Sequence, residues 1–112
     1  MEKRELWIGL VHLKPVIPGD WTAFERGEKW HDAGAYSNII TWASNAEGFR
    51  AHADKVASDY RLYVVDIEGE EPLSRRDRTA LGEELQEIAE RAETNPNAII
   101  FGTFHMYPHE DA

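Results

Sequence analysis

The chain has 112 residues, of which 21 are acidic and 12 are basic, and its formal net charge is −9. This length indicates one domain spanning residues 1–112. The acidic balance argues against binding to a nucleic-acid backbone, and the absence of cysteine excludes disulfides, thiolate zinc sites and a thiol nucleophile.

The first predicted strand covers residues 5–13, where side chains would alternate between two sheet faces. Proline, glycine and aspartate at positions 18–20 then signal a turn. Residues 20–34 follow as a long, aromatic-rich segment with no regular pattern. A loop of this length needs a structural reason. Its aromatic rings are expected either to pack over a bare sheet face or to present a binding surface.

A strand, a helix and a second strand are predicted over residues 36–74, the most regular part of the chain. Ser44 and Glu47 have the spacing of a capping box, which predicts a helix start at Ser44. The buried stripe of this helix consists of Phe49, Ala53, Val56 and Tyr60. The strand at residues 61–67 is apolar almost throughout, which is typical of a strand covered on both faces and indicates a central position in the sheet.

A second helix is predicted to begin at Ser74 and to bury Leu81, Leu85, Ile88 and Ala92. The last predicted strand covers residues 98–106. The order ββαβαβ predicts an α+β two-layer sandwich, with a four-stranded mixed sheet and both helices on one face. This arrangement is ferredoxin-like in outline.

The start of the chain has no secretory pattern, and no apolar run is long enough to span a bilayer. We therefore expect a cytoplasmic protein without membrane contact. Glycine-rich phosphate loops, nucleophile elbows and dinucleotide-binding patterns are absent from the sequence, so no cofactor is predicted. One short basic cluster, Arg75, Arg76 and Arg78, is interpreted as a partner for the nearby acids Glu70, Glu71 and Asp77.

Five histidines offer acid–base chemistry. Two of them, His12 and His105, lie near the ends of the first and last predicted strands. If those strands are neighbours, the two imidazoles could meet Asp66 and Glu68 at one end of the sheet. Such a cluster could act as acid and base or bind a metal. The alternative is that the four are separate polar residues at strand ends, since no metal-ligand spacing links them, and no metal site is predicted.

Four tryptophans in a chain this short are a second feature. Trp7 and Trp42 lie on predicted strands and are interpreted as core or sheet-covering residues. A candidate binding surface is formed by aromatic and imidazole side chains in and beside the long loop: Trp21, Phe24, Trp30, His31 and Tyr36. The alternatives are that this loop caps the sheet, or that two chains pack sheet face to sheet face as a homodimer.

The second helix carries a row of carboxylates, among them Glu83, Glu87 and Glu90. Such a row is usually a solvated face that maintains solubility. Its alternative interpretation is a surface that attracts a basic protein partner, such as a nuclease.

The segment WASNAEGFRAHADKVASDYRLYVVDIEGEEPL and the closing FGTFHMYP resemble small bacterial α+β proteins, some of them encoded near toxin–immunity loci. The resemblance implies a bacterial source and a binding or inhibitory role, and it implies no catalytic residues. The sequence therefore favours a small acidic interaction protein, acting as an immunity-type inhibitor or a homodimer. The alternative is a small enzyme or metal-binding protein using His12, His105, Asp66 and Glu68.

Overall fold

The computed structural model describes residues 3–17, 32–103 and 105–108, and these residues form an α+β fold around one sheet. The strands are β1 (Glu5–Pro15), β2 (Asp32–Ala43), β3 (Leu62–Pro72), β4 (Ile99–Phe101) and β5 (His105–Pro108). The helices are α1 (Ala46–Asp59) and α2 (Glu83–Glu93). The predicted α+β class is confirmed, and the predicted last strand is divided into β4 and β5.

Every described pair of strands is antiparallel, and the sheet order is β3-β1-β2-β4, with β5 also pairing with β2. The expected mixed sheet is therefore wrong, and the ferredoxin-like outline is not confirmed. The crossover through α1 does join two strands that run in the same direction, β2 and β3. Because β1 lies between them and pairs with both, no parallel hydrogen-bonded pair results.

The two helices lie on opposite faces of the sheet, so the prediction of a two-layer sandwich is wrong. Side chains of β1 and β2 alternate between the faces. Val11, Leu13 and Ile39 belong to one buried cluster with α1. Their neighbours on the opposite face, among them Ile8 and Ile40, belong to a second cluster with α2. The middle of the sheet is thus covered on both sides, and we call the two sides the α1 face and the α2 face.

Close contact between Phe49 and the sheet positions α1. Phe49 is fully buried, and it lies over Gly9, where a Cβ atom would come within 2.9 Å of the ring. The N-cap of the helix is Asn45, one residue after the predicted Ser44, and its side chain accepts a hydrogen bond from the Gly48 amide at 2.8 Å. The predicted stripe is confirmed: Phe49 and Ala53 are buried, and Val56 and Tyr60 pack against the same cluster.

Trp42 anchors the end of α2 on the other face. Its indole Nε1 donates to the carbonyl oxygens of Ala92 at 2.8 Å and of Asn95 at 2.9 Å. Both carbonyls lie at or just beyond the C-terminal end of α2, where backbone acceptors have no N–H donor within the helix. The helix begins at Glu83, later than the predicted Ser74, because residues 73–80 form two short 3-10 turns and Gly82 takes a φ of 84°.

The third strand lies at the edge of the described sheet, so its predicted central position is wrong. Its pairing with β1 is interrupted by two register shifts. Val65 is the extra residue at one shift and is 44% exposed, while Tyr63 pairs regularly with Lys14 on the part of the sheet that α2 leaves uncovered and is 47% exposed. An apolar sequence therefore does not make this strand a buried one. Among the described residues, no helix is long and apolar enough to cross a membrane.

Candidate protein-binding face

The helix α2 covers only part of its face of the sheet. It packs on Leu6, Ile8 and Ile40, near the start of β1 and the end of β2. Toward the other end of these strands, nine side chains remain on the same face outside this buried cluster. We call them the open face: Leu10, His12, Lys14, Tyr36, Asn38, Tyr63, Asp66, Glu68 and His105.

The strand register sets the geometry of the open face. Residues directly opposite each other on neighbouring strands present their side chains to the same face. Asp66 lies opposite His12, His12 opposite Tyr36, and Tyr36 opposite His105. One row of side chains therefore crosses four strands. Glu68 stands in the next row, opposite Leu10.

The row keeps the two candidate histidines apart. Tyr36 lies between His12 and His105, which are two strand spacings or about 10 Å apart. The imidazole of His12 stacks on the Tyr36 ring, with centroids 4.4 Å apart and planes at 12°. Among residues 3–17, 32–103 and 105–108, no group of three or more His, Cys, Asp or Glu side chains is placed to hold a metal. The predicted proximity is found for His12 with Asp66 opposite it and Glu68 in the next row, and it is not found for His105.

Burial and charge both act on His12. Its pKa lies below the ordinary value of 6.5, first because burial disfavours the imidazolium and then because Lys14 is nearby. The carboxylates of Asp66 and Glu68 act in the opposite direction without reversing the shift. The open face therefore combines a neutral imidazole stacked on tyrosine with carboxylates at its β3 side.

The two exposed tyrosines on this face each present a hydrophobic ring with a polar hydroxyl group at its end. Tyr36 is 37% exposed and Tyr63 is 47% exposed. Asp66 and Glu68 are also exposed. Tyrosine contributes to protein interfaces out of proportion to its frequency, and a ring face beside carboxylates attracts cationic side chains.

The carboxylates of α2 lie on the same side of the sheet as the open face. Glu83, Glu87 and Glu90 are exposed, and within the described part of the chain none of them forms an ion pair. Glu84 accepts a hydrogen bond from the Thr103 hydroxyl at 2.6 Å, which ties the start of α2 to the segment leading into β5. The acidic helix and the open face are therefore adjacent.

The predicted pairing of the basic cluster is found in part. Arg76 bonds Glu71 at 2.9 Å, while Arg78 pairs with Glu93 of α2. Glu70 takes a different partner, Arg50 of α1, at 2.6 Å.

Most of the predicted aromatic surface lies outside the described residues, namely Trp21, Phe24, Trp30 and His31. Of the predicted aromatic surface, Tyr36 alone can be placed, and it lies on the open face.

Sequence reasoning missed Tyr63 and His52. The apolar run around Tyr63 predicts a buried strand, whereas Tyr63 lies opposite Lys14 on an edge strand, where α2 does not cover the sheet. His52 contacts the buried Thr41, a pairing that becomes visible only when α1 is packed on the sheet.

No protein-family model, curated protein or solved structure matches this chain.

Proposed function

We propose that this chain is a cytoplasmic interaction protein that binds a basic protein partner on its α2 side. The observation that carries the proposal is the open face, where the exposed rings of Tyr36 and Tyr63 share one surface with two carboxylates, Asp66 and Glu68, against a single lysine, Lys14. An immunity-type inhibitor of a basic toxin is the specific form that the sequence resemblance favours.

The two surfaces would have different roles in binding. Exposed carboxylates on α2 would act at long range, because complementary charge accelerates the encounter of two proteins and loses this effect in salt. The tyrosines would act after contact, since buried aromatic groups slow dissociation. We therefore expect changes on α2 to alter the association rate and changes on the open face to alter the dissociation rate.

A second copy of the chain is a weaker candidate for the same face. Two acidic surfaces would oppose each other in a symmetric dimer, which places the same patch on both sides of the interface. Like charges brought together without partners oppose association. A homodimer through the open face would thus have to bury Asp66 and Glu68 against their own copies.

The placement of Asp66 opposite His12 supports a second candidate function, acid–base catalysis. A carboxylate beside an imidazole can orient it and assist proton transfer. Catalysis would then depend on Asp66 and His12, with Glu68 nearby. His105 would contact only a distant part of a substrate. Catalysis requires that His12→Gln abolishes a turnover that Tyr63→Ala leaves intact.

The test uses cross-linking and affinity capture from the source lysate, followed by binding kinetics with the captured protein. Tyr63→Ala and Asp66→Asn alter the open face, and Asp59→Asn on α1 is the matched control for loss of one exposed carboxylate. The proposal expects a basic protein that binds wild type and the control alike, and that dissociates faster from both open-face variants. Tyr63→Ala should weaken binding by roughly tenfold or more.

Three results would overturn this proposal. The first is no partner for the wild-type chain under cross-linking, and the second is equal binding by open-face and control variants. The third is a stable dimer in light scattering that Tyr63→Ala dissociates, which would assign the face to a second copy.

A further inference from the structure

A small basic pocket lies on the α1 face, on the opposite side of the sheet from the open face. Its volume is about 180 Å³, and it is bounded by the segment before β1, helix α1 and the turn before β4. The lining consists of three basic side chains and four neutral residues: Arg4, His52 and Lys55, with Thr41, Asn97, Ala98 and Ile99. No carboxylate lines it, in a chain where acids outnumber bases 21 to 12.

The hydrogen bonds at the floor of the pocket determine which nitrogen of His52 faces outward. Thr41 is fully buried, and its hydroxyl donates to the carbonyl oxygen of Ala98 at 2.9 Å. A carbonyl can only accept, so the single hydroxyl proton is used there. The 3.1 Å contact between Thr41 Oγ1 and His52 Nδ1 must then be donated by His52. The Nδ1 atom carries a proton, and Nε2 is the nitrogen left to meet a ligand. In the neutral ring Nε2 accepts a hydrogen bond, for example from a P–OH group, and in the imidazolium it donates one.

The donors are Arg4, Lys55 and Asn97, which are held from different directions. Arg4 donates to the carbonyl oxygen of Pro96 at 2.7 Å, and this bond uses one of its five N–H groups. The backbone amide of Asn97 donates to Asn95 Oδ1 at 3.0 Å, and this bond holds Asn97 in the turn before β4. Lys55 stands one turn after His52 on α1, and its 3.5 Å contact with Asp59 is long and exposed. An exposed pair of this kind contributes little and can be exchanged.

We propose that this pocket binds a tetrahedral oxyanion of the phosphate class, in the form of a phosphate monoester. Donors from three separate segments converge on one space, which suits the several oxygens of a phosphate better than a planar carboxylate. A phosphate group fills only part of the volume. Ala98 and Ile99 provide an apolar wall for the organic group attached to it.

This site does not depend on the proposed partner binding, because the two surfaces lie on opposite faces of the sheet. Phosphate binding should be unaffected by Tyr63→Ala. In the same way, partner binding should be unaffected by changes in the pocket. Failure of one proposal is therefore distinguishable from failure of the other.

The test is a titration of the full chain with inorganic phosphate and, separately, with phenyl phosphate at constant ionic strength. Two-dimensional NMR of backbone amides and imidazoles monitors each titration. Sodium acetate provides the carboxylate comparison. We expect saturable shifts at His52, Asn97 and Ile99, with phenyl phosphate binding more tightly than phosphate and acetate binding more weakly. Removing one cation with Lys55→Gln should weaken phosphate binding about tenfold or more.

Two variants separate the nitrogens of His52. His52→Asn keeps an amide near the Nδ1 position and the bond to Thr41, and it removes the group at Nε2. His52→Gln places an amide near Nε2 instead. We expect His52→Gln to retain more phosphate affinity than His52→Asn. The matched control for charge is Arg91→Gln, which removes an exposed cation on α2 and should leave the affinity unchanged.

Two results would overturn the site. The first is an absence of saturable shifts at the pocket with either phosphate probe. The second is an equal loss of affinity in Lys55→Gln and Arg91→Gln, which would show that phosphate responds to net charge only. Tighter binding of acetate than of phosphate would replace the phosphate class by carboxylates and would contradict the proposal as stated.

Discussion

Replacing Gly9 by alanine tests how α1 is docked on the sheet. The added Cβ would lie 2.9 Å from Phe49 Cε1 and Cζ and 3.2 Å from the Cα atom of Glu70. The ring is fully buried, and Glu70 Cα is backbone of β3, so neither neighbour can move into solvent. The methyl group must therefore displace α1 from the sheet or distort the β1–β3 pairing.

Adding a carbon to a closed core costs about 1–3 kcal/mol of unfolding free energy. For a domain of this size we expect a loss of about 5 °C in Tm per kcal/mol, and hence roughly 5–15 °C for Gly9→Ala. Phe49→Leu removes the two ring atoms that collide with the new methyl group. In that background the additional cost of Gly9→Ala should fall by about 1 kcal/mol, which a double-mutant cycle measures.

The assay is thermal and urea unfolding of the two single variants and the double variant. Gly48→Ala is the matched control, because its Cβ would meet only Asn45 Oδ1 at 3.5 Å and the Ala43 Cβ at 3.6 Å. There we expect a gain of roughly 0.5–1 kcal/mol, since alanine favours a helix over glycine. An unchanged Tm for Gly9→Ala, or additive effects with Phe49→Leu, would refute the docking geometry.

Three further outcomes follow from single contacts. Asn45→Ala removes the side-chain cap of α1 and should cost about 0.5–2 kcal/mol in urea unfolding. Thr41→Val removes a buried hydroxyl with two partners and should cost about 1–3 kcal/mol, with the sheet retained in circular dichroism. In an NMR titration His12 should have its midpoint below 6.5, with Lys14→Gln raising the pKa and Asp66→Asn lowering it further. Because the unfolded chain takes up this proton first, the His12 contribution to stability is present above pH 6.5 and lost as pH falls.

The sequence predicts helix faces well and sheet faces poorly. The stripe from Phe49 to Tyr60 is confirmed because a period of 3.6 residues depends only on the helix itself. Whether one face or both faces of a strand are covered depends instead on which other helices and strands pack against it. The adjacent buried pair Ile39 and Ile40 was a usable signal for two covered faces, since neighbours on a strand point to opposite sides.

The apolar run in β3 misled the prediction for a physical reason. Apolar composition indicates coverage only if pairing is regular, and here two register shifts displace the alternation. Val65 becomes exposed as a result, and Tyr63 is exposed because α2 does not cover its part of the sheet. A sequence pattern without a partner strand contains no information about such a shift.

The candidate sites differ in how far they could be predicted. The pairing of Asp66 with His12 follows from placing β1 beside β3, whereas the sequence hypothesis supposed the first and last strands to be neighbours. The separation of His12 from His105 by Tyr36 required the register of three strands. The basic pocket joins residues as distant as Arg4 and Asn97, and no local pattern connects them.

The edge position of β3 has a consequence for how the protein behaves at high concentration. Within the described sheet, no strand pairs with the outer edge of the 11-residue β3, and such an edge is a template on which another chain can add a strand, the first step toward fibrils. Charged side chains and irregular pairing are the usual protection against such growth, and β3 has both, with Asp66 and Glu68 along its length. We therefore expect the carboxylates that would attract a basic partner also to hinder strand addition between copies of this chain, so that neutralising them would increase aggregation.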